Sequence, residues 1–167
     1  QCGSLAEGLG LHALKVYIED HALRLAGPDL SAIWESLVHL LRNALDHGLR
    51  GVSDRDPRIR LATVLREDEL TIEIEDNGRG IDWARVREKA ESLGLVADTN
   101  DALVEALFSD SFSTRDEVTE LSGRGVGLAA VRASVHEVGG RISVLSTPGH
   151  GTRFSLHLPR DFARGVE

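Results

Sequence analysis

The amino-acid sequence predicts an α+β domain: a two-layer α/β sandwich in which helices cover one face of a mixed, mainly antiparallel sheet. Strand-like segments occur as neighbouring pairs joined by short turns, 59–65 with 70–75 and 141–145 with 152–158. Helical segments with one apolar side separate these pairs and can pack together on one face of the strands. We find no internal repeat and no second domain. The expected divisions are a lead-in from a preceding domain at 1–14, the domain at 15–160 and a C-terminal tail at 161–167.

Length and composition are ordinary for one globular domain, with 167 residues and 41% apolar residues. The 19 Lys and Arg against 27 Asp and Glu give a net charge of −8, which argues against nucleic-acid binding, since that needs basic surface. Cys2 is the one cysteine, so an internal disulfide and a thiolate metal cluster are excluded. Because no apolar run reaches membrane-spanning length, we expect a cytoplasmic protein without direct membrane contact.

The first third of the chain should contain two short strands and a long helix. Residues 15–19 alternate and are rich in β formers, as in an edge strand. Leu23-Arg24-Leu25 could return as the hairpin partner of that strand. A helix then follows and reaches about His47, after which a loop leads into the first strand pair.

The segment between the two strand pairs should be mostly helical. We expect helices from Asp82 to about Leu93, over 101–108 and over 126–138, the last ending at Gly139-Gly140. Residues 109–124 are polar and rich in Gly, Ser and Thr, which predicts a mobile surface loop.

The long helix has an apolar and a polar side. Its apolar side carries Ile33, Leu37, Leu40, Leu41 and Ala44. Its polar side carries His39, Arg42, Asn43, Asp46 and His47. Because His39, Asn43 and His47 follow one another at four-residue spacing, they should project the same way, one turn apart. Taken alone, such a polar side is most often simply solvated.

Two glycine-rich stretches could hold a ligand. Asp76-Asn77-Gly78-Arg79-Gly80 follows a strand, so that its carboxylate could accept from a ligand amino group while the glycines admit a flat ring. Ser122-Gly123-Arg124-Gly125-Val126-Gly127 opens into a helix, where inward amide groups suit phosphate oxygens. It is neither a Walker loop nor a dinucleotide fingerprint, because Gly-Lys-Ser/Thr and a preceding strand are missing. Each stretch alone could also be an ordinary turn, as could Gly149-His150-Gly151-Thr152.

In this order the motifs resemble the Bergerat ATP-binding fold of type II topoisomerases, heat-shock chaperones, MutL and histidine kinases. Within that superfamily the chain resembles the CheA chemotaxis kinases from about residue 15 to residue 159. The stretches that carry this resemblance are 37–48, 112–114 with 117–127, and 139–140 with 146–152. The sequence departs from the CheA pattern at Glu35-Ser36, where Asp-Pro is usual, and at Leu128, where Met is common.

The resemblance implies an ATP-dependent protein histidine kinase of two-component signalling, with ATP and Mg²⁺ as cofactors. The γ-phosphoryl group would pass to a histidine on a separate phosphotransfer domain and then to a response regulator. Dimerisation would use a domain outside this chain. His12-Ala13-Leu14-Lys15 superficially resembles an acceptor motif, but the residues before it leave no room for the helical bundle that carries such a histidine.

The resemblance also implies roles for single residues at the phosphate end of the site. Asn43 would coordinate Mg²⁺, and His39, Asn43 and His47 would form the catalytic group. Arg42, Asp46 and His47 would face the phosphates and ribose. His39 holds the place of a catalytic Glu in the hydrolytic members, where a carboxylate would activate water.

At the adenine end, Asp76 would bind the adenine amino group by the same resemblance. Gly78, Gly80 and Ile81 would shape the pocket, and Thr152 would support Asp76 from the neighbouring strand. The lid over the triphosphate would consist of Ser122, Gly123, Arg124, Gly125, Val126 and Gly127.

Three other functions are compatible with this fold: a regulatory nucleotide-binding module, an ATP-hydrolysing conformational switch and a serine kinase of the anti-sigma type. His39, where the switch needs a Glu, counts against hydrolysis, and a steady-state ATPase assay would decide. The intact polar residues count against a purely regulatory module, and the Arg42-to-Gly48 stretch fits CheA better than the serine kinases.

Overall fold

The computed structural model describes residues 14–19, 24–25, 30–110, 112 and 127–164. Within them the chain forms four α-helices: α1 (Leu30–Asn43), α2 (Trp83–Ser92), α3 (Asn100–Leu107) and α4 (Leu128–Glu137). A π-helix over Ala44–Leu49 continues α1. The strands are β1 (Lys15–Glu19), β2 (Arg24–Leu25), β3 (Arg58–Leu65), β4 (Glu69–Asp76), β5 (Arg141–Thr147), β6 (Gly151–Pro159) and β7 (Ala163–Arg164).

The main sheet has five strands in the order β1-β3-β4-β6-β5. β1 runs parallel to β3, and the other neighbours are antiparallel, so the predicted mixed and mainly antiparallel sheet is confirmed. The predicted edge position of residues 15–19 is confirmed as well. The expected hairpin is wrong: β2 pairs with β7 in a separate two-stranded sheet. Since β1 pairs in parallel, its neighbour had to come through a long crossover and not through a tight turn.

One face of the sheet forms the core together with the helices. On this face β4 places Leu70, Ile72 and Ile74 opposite Leu158, Leu156 and Phe154 of β6. The helices cover these side chains with buried residues from each of them, among them Ile33, Leu40, Val86, Leu103, Val131 and Val135. The predicted two-layer sandwich with helices on one face is therefore confirmed.

The opposite face of the sheet is polar. Arg60 of β3 bonds to Glu19 of β1 and to Glu73 and Glu75 of β4. Arg153 of β6 donates to the same Glu75 carboxylate at 2.8 Å. Such half-exposed ion pairs add little stability each, but they give the middle of this face charged groups that water can solvate.

The helices between the two strand pairs begin within two residues of the predicted positions, and two of them follow residues that cap them. Asp82 accepts from the Arg85 amide at 3.1 Å, and Thr99 accepts from the Ala102 amide at 3.1 Å. Both side chains satisfy amide groups that a first helical turn leaves without partners. Gly139, with φ 75°, follows the end of α4 and takes the left-handed conformation that stops a helix there.

The ends of the chain and the expected loop are described only in part. Phe162 falls in the expected tail, yet it is buried in the main core. Phe112 is buried in the same core, with the Lys89 amine 5.8 Å from its ring centroid. The rest of the expected lead-in before Leu14, and the loop residues 111 and 113–124, lie outside the described residues.

Candidate functional site

A row of three polar side chains ends the apolar face of the sheet. Asp76 of β4 is in register with Thr152 of β6, and Thr152 is in register with Ser146 of β5. Partners in register share a face of the sheet, so this row continues the core face. Because the row lies at the sheet's end, its side chains are close to the loops that leave the strands. Asp76 and Thr152 are buried there, and Ser146 is half-buried.

Asp76 is the buried acid of the row, with 5% of its surface exposed. Its carboxylate accepts hydrogen bonds from the backbone amides of Gly78, at 2.8 Å, and of Thr152. Burial disfavours the charged form and raises the pKa of Asp76 to about 6, although the two amides work against that rise. A buried carboxylate near the surface, held in place by backbone amides, can bind a ligand that donates hydrogen bonds.

The backbone approaches this carboxylate at positions where only glycine fits. A Cβ at Gly48 would lie 2.7 Å from Asp76 Oδ1, and a Cβ at Gly78 would lie 2.1 Å from the Gly48 carbonyl oxygen. Gly151 has φ 118° and would place a Cβ 2.0 Å from the Asp76 carbonyl oxygen. These contacts bring the π-helix, the loop after β4 and the start of β6 together around one side chain.

The loop after β4 is held by hydrogen bonds on both sides. Asn77 accepts from the Arg58 amide at 2.7 Å and donates to the Asp56 carbonyl at 3.0 Å. The Arg79 amide donates to the Gly48 carbonyl at 2.9 Å, and the Arg79 guanidinium donates to the Arg50 carbonyl. The path from Asp76 to the π-helix is therefore fixed by hydrogen bonds of the backbone and of the Asn77 and Arg79 side chains.

The same loop ends against the turn between β5 and β6. Gly80 has φ 71° and would place a Cβ 2.4 Å from the Thr147 carbonyl oxygen. Ile81 is half-buried against the main core, and its amide donates to the Ser146 hydroxyl at 2.8 Å. The loop is thus anchored at both of its ends.

The end of α1 and the π-helix carry further described residues of the predicted site. His39 and Asn43 are half-buried, Asp46 is half-buried, and Arg42 and His47 are exposed. The Asn43 side chain makes no capping hydrogen bond to the helix that follows. Its amide oxygen and nitrogen are therefore not committed to holding the π-helix.

The long helix changes from α to π after Asn43, which the apolar pattern does not indicate. In a π-helix the hydrogen bonds join residues five apart, so each turn is wider than an α turn. His39 and Asn43 keep the predicted α-helical spacing, whereas His47 lies in the wider turn. π turns recur at functional sites. This one places the backbone of Gly48 against the Asp76 carboxylate.

The predicted lid is described only at its last residue. Ser122, Gly123, Arg124, Gly125 and Val126 lie outside the described residues. Gly127 is exposed and precedes the first residue of α4 in an extended conformation, with φ −85° and ψ −179°. α4 itself packs against α1, the helix that carries Asn43.

Three residues of the site were not among the predicted site residues: Gly48, Ser146 and Gly151. Gly48 follows the polar side of the long helix, and Gly151 directly precedes Thr152, so their positions beside named residues were a usable signal. Ser146 lies two residues after Val144, on the core-facing positions of β5. A serine at a core-facing strand position could have been identified from the period of two along the strand.

A cleft of about 600 Å³ lies elsewhere, between α2, α3 and β5. It is lined by Trp83, Leu103, Val104 and Val144, and also by the row residue Ser146. Asp76, Thr152, Asn43 and His39 do not line it. We therefore locate the candidate site by its buried acid and its close backbone contacts and not by the volume of this cleft.

Comparison with known families assigns the chain. Residues 32–161 match the family described as "Histidine kinase-, DNA gyrase B-, and HSP90-like ATPase". The chain belongs to this GHKL family. The matched range begins in α1 and ends in a short 3-10 helix, Arg160–Phe162, that follows β6. It contains the whole candidate site, and the predicted membership is confirmed.

Curated relatives of this GHKL domain include CheA proteins. The chain is 44% identical to "Chemotaxis protein CheA" of Halobacterium salinarum over 78% of its length, which is 21% of that relative. It is 38% identical to CheA of Cereibacter sphaeroides over 95% of its length and 23% of that relative. It is also 41% identical to "Gliding motility regulatory protein" of Myxococcus xanthus, over 80% of the chain and 19% of the relative. The GHKL domain is CheA-like, and it spans about a fifth of the length of these relatives.

Solved structures share the fold of the GHKL domain. The catalytic domain of histidine kinase ThkA superimposes with a TM-score of 0.63 at 18% identity, over 94% of this chain and 86% of that one. The histidine kinase domain of a blue-light-activated kinase from Erythrobacter litoralis gives a TM-score of 0.57 at 21% identity, over 94% of this chain and 56% of that one. No helix in the described part of the chain is both long and apolar enough to span a bilayer.

Proposed function

We propose that the domain binds Mg²⁺ and ATP and transfers the γ-phosphoryl group to a histidine on a separate phosphotransfer domain. The observation that carries the proposal is the buried carboxylate of Asp76, enclosed by Gly48, Gly78 and Gly151 at distances that exclude any side chain. Membership of the GHKL family and the 33–44% identity to CheA proteins support the same function. Phosphoryl transfer would be the work of positioned groups and electrostatics, with little covalent chemistry by the protein.

The adenine end of the site uses the polar row. Asp76 accepts a hydrogen bond from the adenine amino group, and Thr152 supports it from the next strand. Gly78 and Gly80 let the loop pass close to the ring, and Ile81 contributes an apolar contact. A hydrogen bond to a charged, buried acceptor typically contributes about 1.5–3 kcal/mol, which is enough to select the base.

The phosphate end uses the polar side of α1 and the π-helix. Asn43 offers an amide oxygen, which is a ligand that Mg²⁺ accepts, and its side chain is not used in capping. Mg²⁺ commonly keeps several waters and takes its remaining ligands from substrate phosphates, so one protein oxygen suffices. Bound there, the ion would neutralise charge on the phosphates. Arg42, Asp46 and His47 face the phosphates and ribose, and residues 122–127 close over them as a lid.

His39 stands on α1 four residues before Asn43, which sets it beside the γ-phosphate in the proposed complex. In the transfer, an imidazole nitrogen of the acceptor histidine attacks the γ-phosphorus. The bond from that phosphorus to the bridging oxygen breaks, and its electron pair leaves with ADP. His39 orients the acceptor imidazole or takes its proton, and an imidazole there does not activate water as a carboxylate would.

The later steps of signalling are proposed to use domains other than the GHKL domain. An acceptor phosphotransfer domain receives the phosphoryl group, a response regulator takes it onward, and a domain outside this chain forms the dimer. These assignments rest on the CheA relatives, of which the domain covers about a fifth.

Phosphotransfer from labelled ATP tests the proposal. The chain would be mixed with the phosphotransfer domain of its own full-length protein and with ATP labelled at the γ-phosphate. The expected result is acid-labile label on the acceptor domain with little release of free phosphate. The Asn43→Ala variant should label the acceptor domain no longer. Rapid release of phosphate without a labelled acceptor would instead support an ATP-hydrolysing switch.

A further inference from the structure

Ser146 joins the three segments that frame the site. Its hydroxyl accepts from the Ile81 amide at 2.8 Å, donates to the Gly151 carbonyl at 3.1 Å and contacts the Thr152 hydroxyl at 3.0 Å. One side chain thus connects the loop after β4, the start of β6 and the end of β5. Ser146 is in register with Thr152, which in turn is in register with Asp76, so Ser146 lies two strands away from Asp76.

The directions of these three hydrogen bonds follow from counting hydrogens. A serine hydroxyl has one hydrogen and two lone pairs. The Gly151 carbonyl oxygen can only accept, so that contact uses the Ser146 hydrogen, and the Ile81 amide can only donate, so it uses one lone pair. The second lone pair remains for Thr152, whose hydroxyl must therefore donate to Ser146. The reverse direction would leave two oxygen lone pairs facing each other at the Gly151 contact.

A Thr152 hydroxyl that donates to Ser146 has only lone pairs to offer to a ligand. The ionised carboxylate of Asp76 in the next strand also only accepts. These two neighbouring acceptors suit an exocyclic amino group, directly or through a water that donates to them. They disfavour a carbonyl oxygen in the same place, because it would face acceptors without a hydrogen between them.

We infer that Ser146 is a positioning residue for base specificity: by holding the Thr152 hydroxyl as an acceptor, it favours 6-amino purines over 6-oxo purines. This inference rests on the proposed function, in which Asp76 and Thr152 bind the base. Ser146 need not touch the nucleotide, because it acts through the direction of one hydrogen bond.

Equilibrium binding of ADP and inosine diphosphate to Ser146→Ala tests the inference, since these ligands differ at the 6-position and in the proton that the 6-oxo base carries on the adjacent N1. Without Ser146 the Thr152 hydroxyl can turn and donate to the 6-oxo group. One typical hydrogen bond corresponds to about a 5-fold change, so the preference for ADP should fall about 5-fold, mainly through tighter binding of inosine diphosphate. Ser146→Thr keeps a hydroxyl in a strand that tolerates β-branched residues and should keep the preference.

Ser143→Ala is the matched control, because it removes a hydroxyl from the same strand on the opposite face of the sheet. The Ser143 hydroxyl lies 3.0 Å from His157 Nε2 and not at the site, so both affinities should stay unchanged. Melting temperatures of all variants, without nucleotide, separate a general loss of stability from a change of specificity. Should Ser146→Ala not fold, Thr152→Val can be used, because it removes the acceptor itself. It should weaken the binding of ADP and leave the binding of inosine diphosphate unchanged.

The outcomes distinguish this inference from the proposed function. A wild-type chain without any preference for ADP would overturn the assignment of Asp76 to adenine. A wild-type chain that prefers ADP, together with a Ser146→Ala variant of unchanged preference, would overturn the inference and leave the function standing. An equal loss of both affinities in Ser146→Ala would also overturn it, since a structural role alone predicts that result.

Discussion

Replacing Asp76 by Asn should change the stability of the nucleotide-free domain in a pH-dependent way. Relative to wild type, the variant should be more stable at neutral pH than at acid pH, and it should bind ATP more weakly. The perturbation keeps the shape of the side chain and removes its charge. The wild-type carboxyl has a pKa of about 6 in the folded chain, against 3.8 for an ordinary Asp, because burial disfavours its charged form. The folded state therefore holds its proton more tightly than the unfolded state does. The contribution of the bound Asp76 proton to the stability of the folded state is complete below about pH 3.8 and is lost as the pH rises through 6.

The size of this loss follows from the two pKa values. A difference of about two units corresponds to about 3 kcal/mol when both states are ionised. Since the acid is 5% exposed, solvent screening does not reduce this figure much. Asn cannot ionise, so its own packing cost is the same at each pH and cancels in a comparison. Between pH 4 and pH 8, the stability of the variant relative to wild type should therefore rise by about 2–3 kcal/mol.

Urea unfolding at several pH values, without nucleotide, measures this difference. Asp98→Asn, at an exposed position, is the control for removing one negative charge. ATP affinity, measured by calorimetry at pH 8, should fall one to two decades in Asp76→Asn, since a charge-assisted hydrogen bond is lost. A stability difference that stays constant from pH 4 to pH 8 would refute the reasoning, because the buried carboxyl would not then be the group that titrates. Retained ATP affinity would refute only the adenine role.

Three further predictions concern the phosphate end of the site. ATP should bind much more weakly in EDTA than in Mg²⁺, and Asn43→Ala should remove that difference; equal affinity in both buffers would exclude the metal role of Asn43. His39→Gln should lower the phosphotransfer rate by about 10²–10⁴-fold with little change in ATP affinity, measured with excess acceptor domain, and near-normal transfer would exclude a catalytic role. Amide hydrogen exchange over residues 109–124 should slow when an ATP analogue binds, because a lid gains hydrogen bonds on closing, and unchanged exchange would show that it does not close.

Local patterns predicted most of the elements because neighbouring residues determine them. The antiparallel pair 59–65 with 70–75 alternates in the sequence and is joined by a short turn, and the structure pairs it as β3 and β4. Asp82 is a good capping residue ahead of an amphipathic stretch, and it caps α2. In both cases the interactions that decide the structure lie within a few residues of each other.

The features that the sequence does not predict depend on distant residues or lie in segments too short to show a period. A two-residue strand such as β2 carries no pattern of its own, and its pairing with β7 depends on where the far end of the chain lies. The π-helix over Ala44–Leu49 has too few residues for its period to differ visibly from that of an α-helix. The period of two along β5 places Ser146 on the core face, but its three hydrogen bonds reach residues that only the folded sheet brings together.

The candidate site arises from the register that builds the core. Along β4, β6 and β5 the core-facing row Ile74, Phe154 and Val144 is followed, one pleat further on, by Asp76, Thr152 and Ser146. Because side chains alternate strictly along a strand, the polar residues inherit the burial of the apolar ones. A shift of one residue in any strand would turn its polar member to the solvent face. The raised pKa of Asp76 is thus a consequence of placing an acid at a core position. In the proposed complex, the hydrogen bond from the nucleotide base offsets the free energy that burial of the charged carboxylate costs.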